Sequence, residues 1–341
     1  MYRLIRSLLF LMSPELVHDL TIQGLRVAGS NPLTRAIVRA LWNYESPSLH
    51  VKAFGLDFPN PVGLAAGYDK DAYGWRGLTG MGFGHLELGT VTPRPQFGNP
   101  RPRLFRIKDR QAIVNRYGFP NKGADFVARR LKKHRPDDTV LGMNLGKNKD
   151  TPLEAAAADY VSLVETFASL ADYLVVNVSS PNTEGLRRLQ ARDALEGILR
   201  ELKDEQKRQQ EKLDKRVPIL VKLAPDLDDH ELDDSLGAIL DCGMDGIVAT
   251  NTTIGRLGIE HPVAAETGGL SGAPLRELAT EKIRMIHERT QGKLPIVGVG
   301  GVSSPDDVRE KMDAGATLVQ VYTGMIYEGP GLMKRILKAL S

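Results

Sequence analysis

One supersecondary unit recurs along this chain and constrains its fold more than any other feature. Gly82-Phe-Gly-His-Leu-Glu-Leu-Gly-Thr90, Gly243-Met-Asp-Gly-Ile-Val-Ala-Thr250 and Gly315-Ala-Thr-Leu-Val-Gln-Val-Tyr-Thr323 each leave a helix at glycine, run through an apolar strand and reach threonine. Strand and helix signals alternate on either side of these units. Eight strands are expected, near Val62–Ala65, His85–Val91, Val140–Leu145, Tyr173–Val178, Pro218–Leu223, Gly246–Thr250, Pro295–Val299 and Leu318–Tyr322. Helix starts fall between them. Thr151-Pro-Leu-Glu154 reads as a capping box with proline at the first helical position, Ser304-Pro-Asp-Asp307 as nearly the same device, and Asp228 to Glu231 as another start. Repetition of one βα unit predicts an α/β fold, a (β/α)8 TIM barrel, and 341 residues suffice for one. An open doubly wound sheet is disfavoured, because no strand leads into a Gly-x-Gly-x-x-Gly turn with a downstream acid. Residues 50–60 read as a small hairpin turning at Gly55, and residues 201–216, rich in Lys, Glu, Gln and Arg, as a solvated helix face.

A parallel barrel carries its chemistry where strands meet their following loops. The segment Tyr173-Leu-Val-Val-Asn-Val-Ser-Ser-Pro-Asn-Thr183 is a buried strand stopped by Pro181, with Asn177, Ser179, Ser180, Asn182 and Thr183 crowded at its end. Alone, that is equally an ordinary Ser/Asn/Pro turn. The other strand ends collect Ala66-Gly67-Tyr68-Asp69-Lys70, Thr90, Asn144, Lys222, Thr250-Asn251-Thr252, Gly300-Gly301 and Tyr322-Thr323-Gly324, a polar ring above an apolar barrel. Glycine-rich turns after strands seven and eight, with the bare backbone of Thr267–Gly272 nearby, point to a phosphate-bearing ligand.

Lys222 interrupts the apolar strand Ile219-Leu-Val-Lys-Leu-Ala224. An ammonium there is costly to desolvate without an anion, so it belongs to an ion pair or faces an anionic cofactor ring. Lys70, between Asp69 and Asp71, is a surface charge or a clamp for a substrate carboxylate. Asparagines suit a flat, amide-bearing ligand. No His/Cys/carboxylate cluster has metal-ligand spacing, and no Gly-x-Ser-x-Gly elbow is present. Ser180 can act as a base only if shielded, aligned and linked to a proton relay.

Residues 1–44 differ from the rest. They hold five basic groups (Arg3, Arg6, Arg26, Arg35, Arg39) against two acidic ones, and the remaining 297 residues balance at 40 against 40. A neutral body lacks the charged face of a nucleic-acid binder. Leu4, Ile5, Leu8, Leu9 and Met12 repeat at helical spacing. Ser13-Pro14 restarts a helix through Leu16, Val17, Leu20 and Leu25 to Gly29, and Ile37, Val38, Leu41 and Trp42 form a third cluster. The segment is either a cap packed on the main domain or an interfacial anchor with arginines at the headgroups. The division expected is therefore 1–44, helical, and 45–341, barrel. The run Leu8–Met12 is too short for a signal peptide, and no stretch reaches the ~20 apolar residues of a membrane span. The single cysteine, Cys242, allows no intramolecular disulfide, which fits a reducing compartment; it is expected in the core near a helix end.

Several long motifs, in order, resemble the dihydroorotate dehydrogenase family, in particular its class 2, membrane-associated, quinone-dependent branch. They are Leu64–Asp71, Glu87–Gln96, Asn115–Phe119, Asn144–Lys149, Asn177–Thr183 and Thr267–Gly272. The resemblance covers essentially the whole chain. It implies FMN-dependent oxidation of dihydroorotate to orotate in pyrimidine synthesis. By position it implies FMN contacts from Ala66, Gly67, Tyr68, Asp69, Lys70 and Thr90, from Asn144, Asn177, Lys222 and Thr250, and from Gly272, Gly301, Tyr322 and Thr323. It implies substrate contacts from Lys70, Asn115, Arg116, Tyr117, Gly118 and Phe119, and from Asn177, Asn182, Asn251 and Thr252. Ser180 would be the base at C5, where the class 1 branch has cysteine. His18, Arg106 and Tyr322 would line a tunnel for a membrane quinone. That acceptor tips residues 1–44 toward peripheral membrane contact, at the cytoplasmic face of a bacterial inner membrane, with no metal and no obligate protein partner implied. The rivals are another FMN barrel, such as a 2-hydroxy-acid oxidase, for which neither His85 nor His230 has a matching context, a cofactor-free phosphate-sugar isomerase, and a non-catalytic binding barrel.

Overall fold

The computed structural model describes residues 2–132 and 139–341. Its strands are β1 (Val51–Ala53), β2 (Leu56–Phe58), β3 (Val62–Leu64), β4 (His85–Val91), β5 (Leu104–Ile107), β6 (Ala112–Asn115), β7 (Val140–Leu145), β8 (Tyr173–Asn177), β9 (Ile219–Leu223), β10 (Gly246–Ala249), β11 (Gly269–Gly272), β12 (Ile296–Val299) and β13 (Leu318–Val321). Eight of them close a barrel in the order β3-β4-β7-β8-β9-β10-β12-β13, parallel throughout. These are the eight expected strands.

Alternation along each stave decides what faces the lumen. On β8, Leu174 and Val176 pack outward in the layer between barrel and helices, whereas Tyr173 and Val175 join Leu220, Val248, Val297 and Leu318 inside. The same parity carries Asn177 and Lys222 inward at the carboxyl ends, where their strands pair residue for residue. The hairpin β1–β2 turns through Phe54 and Gly55, both at positive φ (38° and 81°). It seats Phe54 and Phe58 against Tyr173 and His85, the first residues of β8 and β4, and so plugs the amino-terminal end.

Three local expectations need correction. The helix after β7 begins at Ala156, behind a short 3₁₀ turn and without a side-chain cap, so Thr151–Glu154 is not a capping box. The buried Lys147 ammonium takes the Thr151 carbonyl together with that of Asn148 and holds the segment outside the helix. The loop expected at Thr267–Gly272 ends in a strand, β11, which joins β6 and β5 in an antiparallel flap beside the rim. The helix Arg192–Leu213 is not polar all round. Glu205, Gln206 and Gln209 are buried, and Gln206 Nε2 donates to Val217 O (2.8 Å) and Asp245 Oδ2 (3.0 Å). Elsewhere the caps form as expected. Asp228 and Glu231 make a reciprocal capping box, Ser304 accepts from Asp307 N, and Cys242 sits buried at a helix end.

The N-terminal segment forms α1 (Tyr2–Leu9), α2 (Pro14–Ala28) and α3 (Pro32–Trp42); the side chain of Arg3 lies outside the described residues. Ser13 and Asn31 cap α2 and α3 ahead of Pro14 and Pro32. Ile22 and Val38 face the barrel side, and the helix Trp75–Thr79 brings Gly77 under Leu25 with no room for a Cβ. Leu4, Leu8, Leu11, Leu20, Val27, Leu33, Ile37 and Leu41 are each more than half exposed. Such an apolar face marks a contact surface. Among the described residues no helix is long and apolar enough to cross a membrane.

Candidate active site

Glu87, in the middle of β4, is the carboxylate on which the lumen network is built. It is 1% exposed and accepts from Asn144 Nδ2 (2.6 Å) and Gln320 Nε2 (2.7 Å). Lys222 Nζ stands 3.8 Å away, so the expected lone ammonium is answered by an anion from across the barrel. An ionised carboxylate only accepts, so both amides must turn their NH₂ groups toward it. Asn144 Oδ1 is thereby left to receive Thr90 Oγ1 (2.5 Å) and Asn177 Nδ2 (3.0 Å). Asn177 Oδ1 in turn accepts from Ser179 Oγ (3.1 Å) and Asn251 Nδ2 (3.4 Å). One buried charge thus sets the donor–acceptor sense of the ring of amides at the rim.

Above this layer lies a cleft with about 1030 Å³ of empty space, counted out to its mouth. Ser180, 4% exposed, lines it, and its Oγ accepts from Asn182 N (3.2 Å). Among the described residues no carboxylate or imidazole hydrogen-bonds that hydroxyl. Asn182 Nδ2 donates to Asn115 Oδ1 (3.2 Å), which ties the Ser180 turn to the flap. Lys70 is not a plain surface charge. Its ammonium donates to Gly67 O (2.6 Å) and lies 4.2 Å from the centre of the Tyr117 ring, and burial pulls its pKa down to about 8. It remains mostly cationic near neutral pH.

Most of the expected site residues meet in this cleft. Ala66, Gly67, Lys70, Thr90, Asn177 and Lys222 line it, as do Thr250, Gly272, Gly301, Tyr322 and Thr323. So do Asn115, Tyr117, Gly118, Phe119, Asn182, Asn251 and Thr252. Four do not. Tyr68 turns away to stack edge-on with His18. Asp69 caps the next turn through Tyr73 N (2.9 Å) and Gly74 N (2.7 Å), and burial lifts its pKa to about 6. Asn144 sits one layer down, wholly buried. Arg116 faces outward onto Glu266 (2.5 Å) and Phe105. Sequence reasoning missed Glu87 and Gln320, although Glu87 breaks an apolar strand as plainly as Lys222 does. Among the described residues no His/Cys/Asp/Glu group could hold a metal ion.

A second cavity, about 1290 Å³ on the same measure, runs between α1, α2 and the barrel. Its walls include Leu9, Val17, Leu25, Val38, Met81 and Met325, and His18, Arg106 and Tyr322 all line it. Burial and the Lys70 charge push the His18 pKa down to about 3, so the imidazole is neutral. The Arg106 guanidinium sits 4.4 Å from the Phe10 ring centre and donates to Met12 O. Leu104, Ile113 and Tyr322 border both cavities and form the partition between them.

Comparison with known proteins gives one answer. The sequence profile of the family described as dihydroorotate dehydrogenase matches residues 48–341. The chain is 48% identical to dihydroorotate dehydrogenase (quinone) of Azotobacter vinelandii, over 100% of this chain and 97% of that one. It is 50% identical to the protein so named in Halobacterium salinarum, over 100% and 94%. Among solved structures it resembles DHODH from Eimeria tenella in complex with ferulenol, with a TM-score of 0.88, 40% identity, and 96% and 90% of the two chains covered.

Proposed function

The chain belongs to the dihydroorotate dehydrogenase family, and on that premise we infer how its own residues serve the reaction. It is an oxidoreductase that oxidises dihydroorotate to orotate, with a quinone as electron acceptor, in pyrimidine biosynthesis. The observation that carries the residue-level reading is the shared wall of Leu104, Ile113 and Tyr322. It separates a polar cleft suited to a hydrophilic reductant from an apolar one suited to a lipophilic oxidant.

The family is flavin-dependent, and we read the flavin as FMN in the polar cleft. The residues fit such a group. Gly300 and Gly301 both line the cleft at positive φ (115° and 75°), a bare backbone cradle for a phosphate. Lys222 offers a buried ammonium 3.8 Å from Glu87, longer than a hydrogen bond, which leaves its N–H donors for an electron-rich ring edge. When bound, FMN supplies a two-electron acceptor between substrate and quinone. Ala66, Gly67, Thr90, Asn177, Lys222, Thr250, Gly272, Gly301, Tyr322 and Thr323 would hold it.

Lys70 offsets the substrate carboxylate, and Asn115, Asn177, Asn182 and Asn251 match the alternating donors and acceptors of a pyrimidine ring. Ser180 removes the C5 proton. A free hydroxyl is too weak a base, but this proton is acidified by the adjacent carbonyl, and the Ser180 hydroxyl is shielded from bulk water. Thr252, which lines the same cleft, serves as the relay. General-base help of this kind is worth about 10²–10⁴ in rate. His18, Arg106 and Tyr322 receive the quinone head in the apolar cavity. The exposed leucines and isoleucines of α1–α3 rest in the interface of a bacterial inner membrane, at its cytoplasmic face.

Ser180→Ala tests the core of this reading. The variant should retain FMN yet be reduced by dihydroorotate, in anaerobic stopped flow, at least about 10²-fold more slowly. Reduction at a near-normal rate refutes the base assignment.

A further inference from the structure

The Arg187 side chain lines neither the cleft nor the tunnel, yet three loops of the rim meet on its guanidinium. It lies in the 3₁₀ segment Leu186–Gln190, a few residues beyond the Ser180 turn. Its Nε donates to Ser179 O (3.1 Å), its Nη2 to Thr252 O (3.0 Å), and its Nη1 to Asp226 Oδ2 (2.7 Å). Asp226 extends the junction by accepting from Thr253 Oγ1 and from Ile254 N (3.2 Å). The loops following β8, β9 and β10 are therefore stapled through one planar cation. The pair is only about one-fifth exposed on each side (22% and 20%), so water competes weakly for it.

The Ser179 carbonyl belongs to the peptide that joins Ser179 to Ser180. Holding that oxygen fixes the plane from which the Ser180 side chain departs. The Ser180 hydroxyl has little else to hold it, since among the described residues its hydrogen-bond partner is Asn182 N, two residues along the same turn. On the far side, Thr252 O belongs to the loop that presents Asn251 and Thr252 to the cleft. The fork geometry matters, because three donors in one plane reach three acceptors on three loops; a lysine ammonium, a point charge on a flexible stem, cannot.

We propose that Arg187, braced by Asp226, is the positioning residue that sets the Ser180 turn against the Asn251–Thr252 loop for proton abstraction. The role rests on Ser180 being the base. Misplacement by about 1 Å of a group otherwise intact costs about 10²-fold in rate, which sets the expected size of the effect.

The test uses flavin-loaded full-length protein and separates the two half-reactions. Arg187→Ala and Arg187→Lys should each slow flavin reduction by dihydroorotate about 10²-fold, while reoxidation by a short-chain quinone stays within about twofold. Millimolar guanidinium chloride should restore reduction in Arg187→Ala but not in Arg187→Lys, and sodium chloride at the same ionic strength should do neither. Asp226→Asn should be slowed in the same direction, and the double variant Arg187→Ala/Asp226→Asn should be no slower than Arg187→Ala, because the two act as one unit. If Arg187→Ala does not fold, Arg187→Lys and Asp226→Asn decide by the same criterion. Reduction within about threefold of wild type, or equal loss in both half-reactions, overturns the role. Ser180→Ala run alongside separates the two claims. If it is slow while the Arg187 variants are normal, only the positioning role falls. If it is normal, the base assignment falls and takes the role with it.

Discussion

Replacing Glu87 by glutamine keeps the shape of the lumen network and removes its charge. The Lys222 ammonium and the Glu87 carboxylate are 6% and 0% exposed, so neither is screened by water. At 3.8 Å and an effective dielectric of about 20, their attraction is about 4 kcal/mol. Glutamine also presents one NH₂ where both neighbours, Asn144 Nδ2 and Gln320 Nε2, are donors, and a donor left facing a donor costs about 1–3 kcal/mol. Against these losses stands the desolvation that a neutral amide no longer suffers. Breaking a buried pair from one side costs about 3–5 kcal/mol net, and that is the loss expected here.

The assay is urea unfolding of flavin-stripped protein, followed by far-ultraviolet circular dichroism, for wild type, Glu87→Gln, Lys222→Met and the double variant. Each single variant leaves one buried charge without its partner, whereas the double leaves no unpaired ion. The double should therefore be more stable than the sum of the single losses. In loaded protein, loss of the Glu87 charge leaves the Lys222 field unopposed and should raise the flavin midpoint potential. An unfolding free energy for Glu87→Gln within about 1 kcal/mol of wild type, or strict additivity in the double, would refute the account.

Two further changes probe opposite ends of the molecule. Gly24 lines the apolar cavity, and a Cβ there meets nothing within 4 Å, so Gly24→Phe should fill the tunnel and raise the KM for a long-chain quinone while leaving flavin reduction by dihydroorotate unchanged; an unaltered quinone KM would remove the tunnel assignment. His85 is wholly buried among Phe58 and Tyr173 with both ring nitrogens unpartnered, and burial lowers its pKa from 6.5 to about 3. Below pH 6.5 the unfolded chain binds a proton that the folded chain refuses until about pH 3, so wild type loses up to about 1.4 kcal/mol per pH unit from this group as pH falls. His85→Leu should lose stability less steeply between pH 6 and pH 4, and parallel stability curves in that window would contradict the buried neutral imidazole.

The staves were legible because each is a short apolar run that can be buried on both faces, and because in three of them Gly and Thr mark where the unit begins and ends. The polar cleft followed from the same strands, since alternation decides that Asn177 and Lys222 face inward once Val175 does. The flap was not legible. Gly269-Leu-Ser-Gly272 carries two glycines in four positions and becomes a strand only by pairing with residues 112–115, far away in the chain. The contiguous stretch Tyr68-Asp69-Lys70 misled for a different reason. A turn sends consecutive side chains in different directions, so Lys70 reaches the cleft while Asp69 caps the backbone beneath it and Tyr68 meets His18. Glu87 is not legible as the partner of Lys222 from either strand alone. The compensating anion lay on another stave, and only the shared inward parity of the two strands connects them.

The division of labour between barrel and additions follows from what each can bury. A closed parallel barrel offers polar groups at its carboxyl rim, and those groups suit a charged heterocycle. It offers no apolar cavity for a lipophilic acceptor, because its lumen is already filled by Tyr173, Val175, Leu220 and their neighbours. The apolar cavity has to be built outside, from α1 and α2 laid across β5, β6 and the segment 322–330. The two cavities come closest where the added walls and the rim share side chains. Tyr322 stands there: it directly follows the last stave, its hydroxyl donates to Gly67 O (3.3 Å) just beyond the first, and its ring packs edge-on against Tyr68 on the tunnel side. On the proposed reading, the N-terminal helices supply the acceptor's half of the geometry by walling the cavity beside Tyr322.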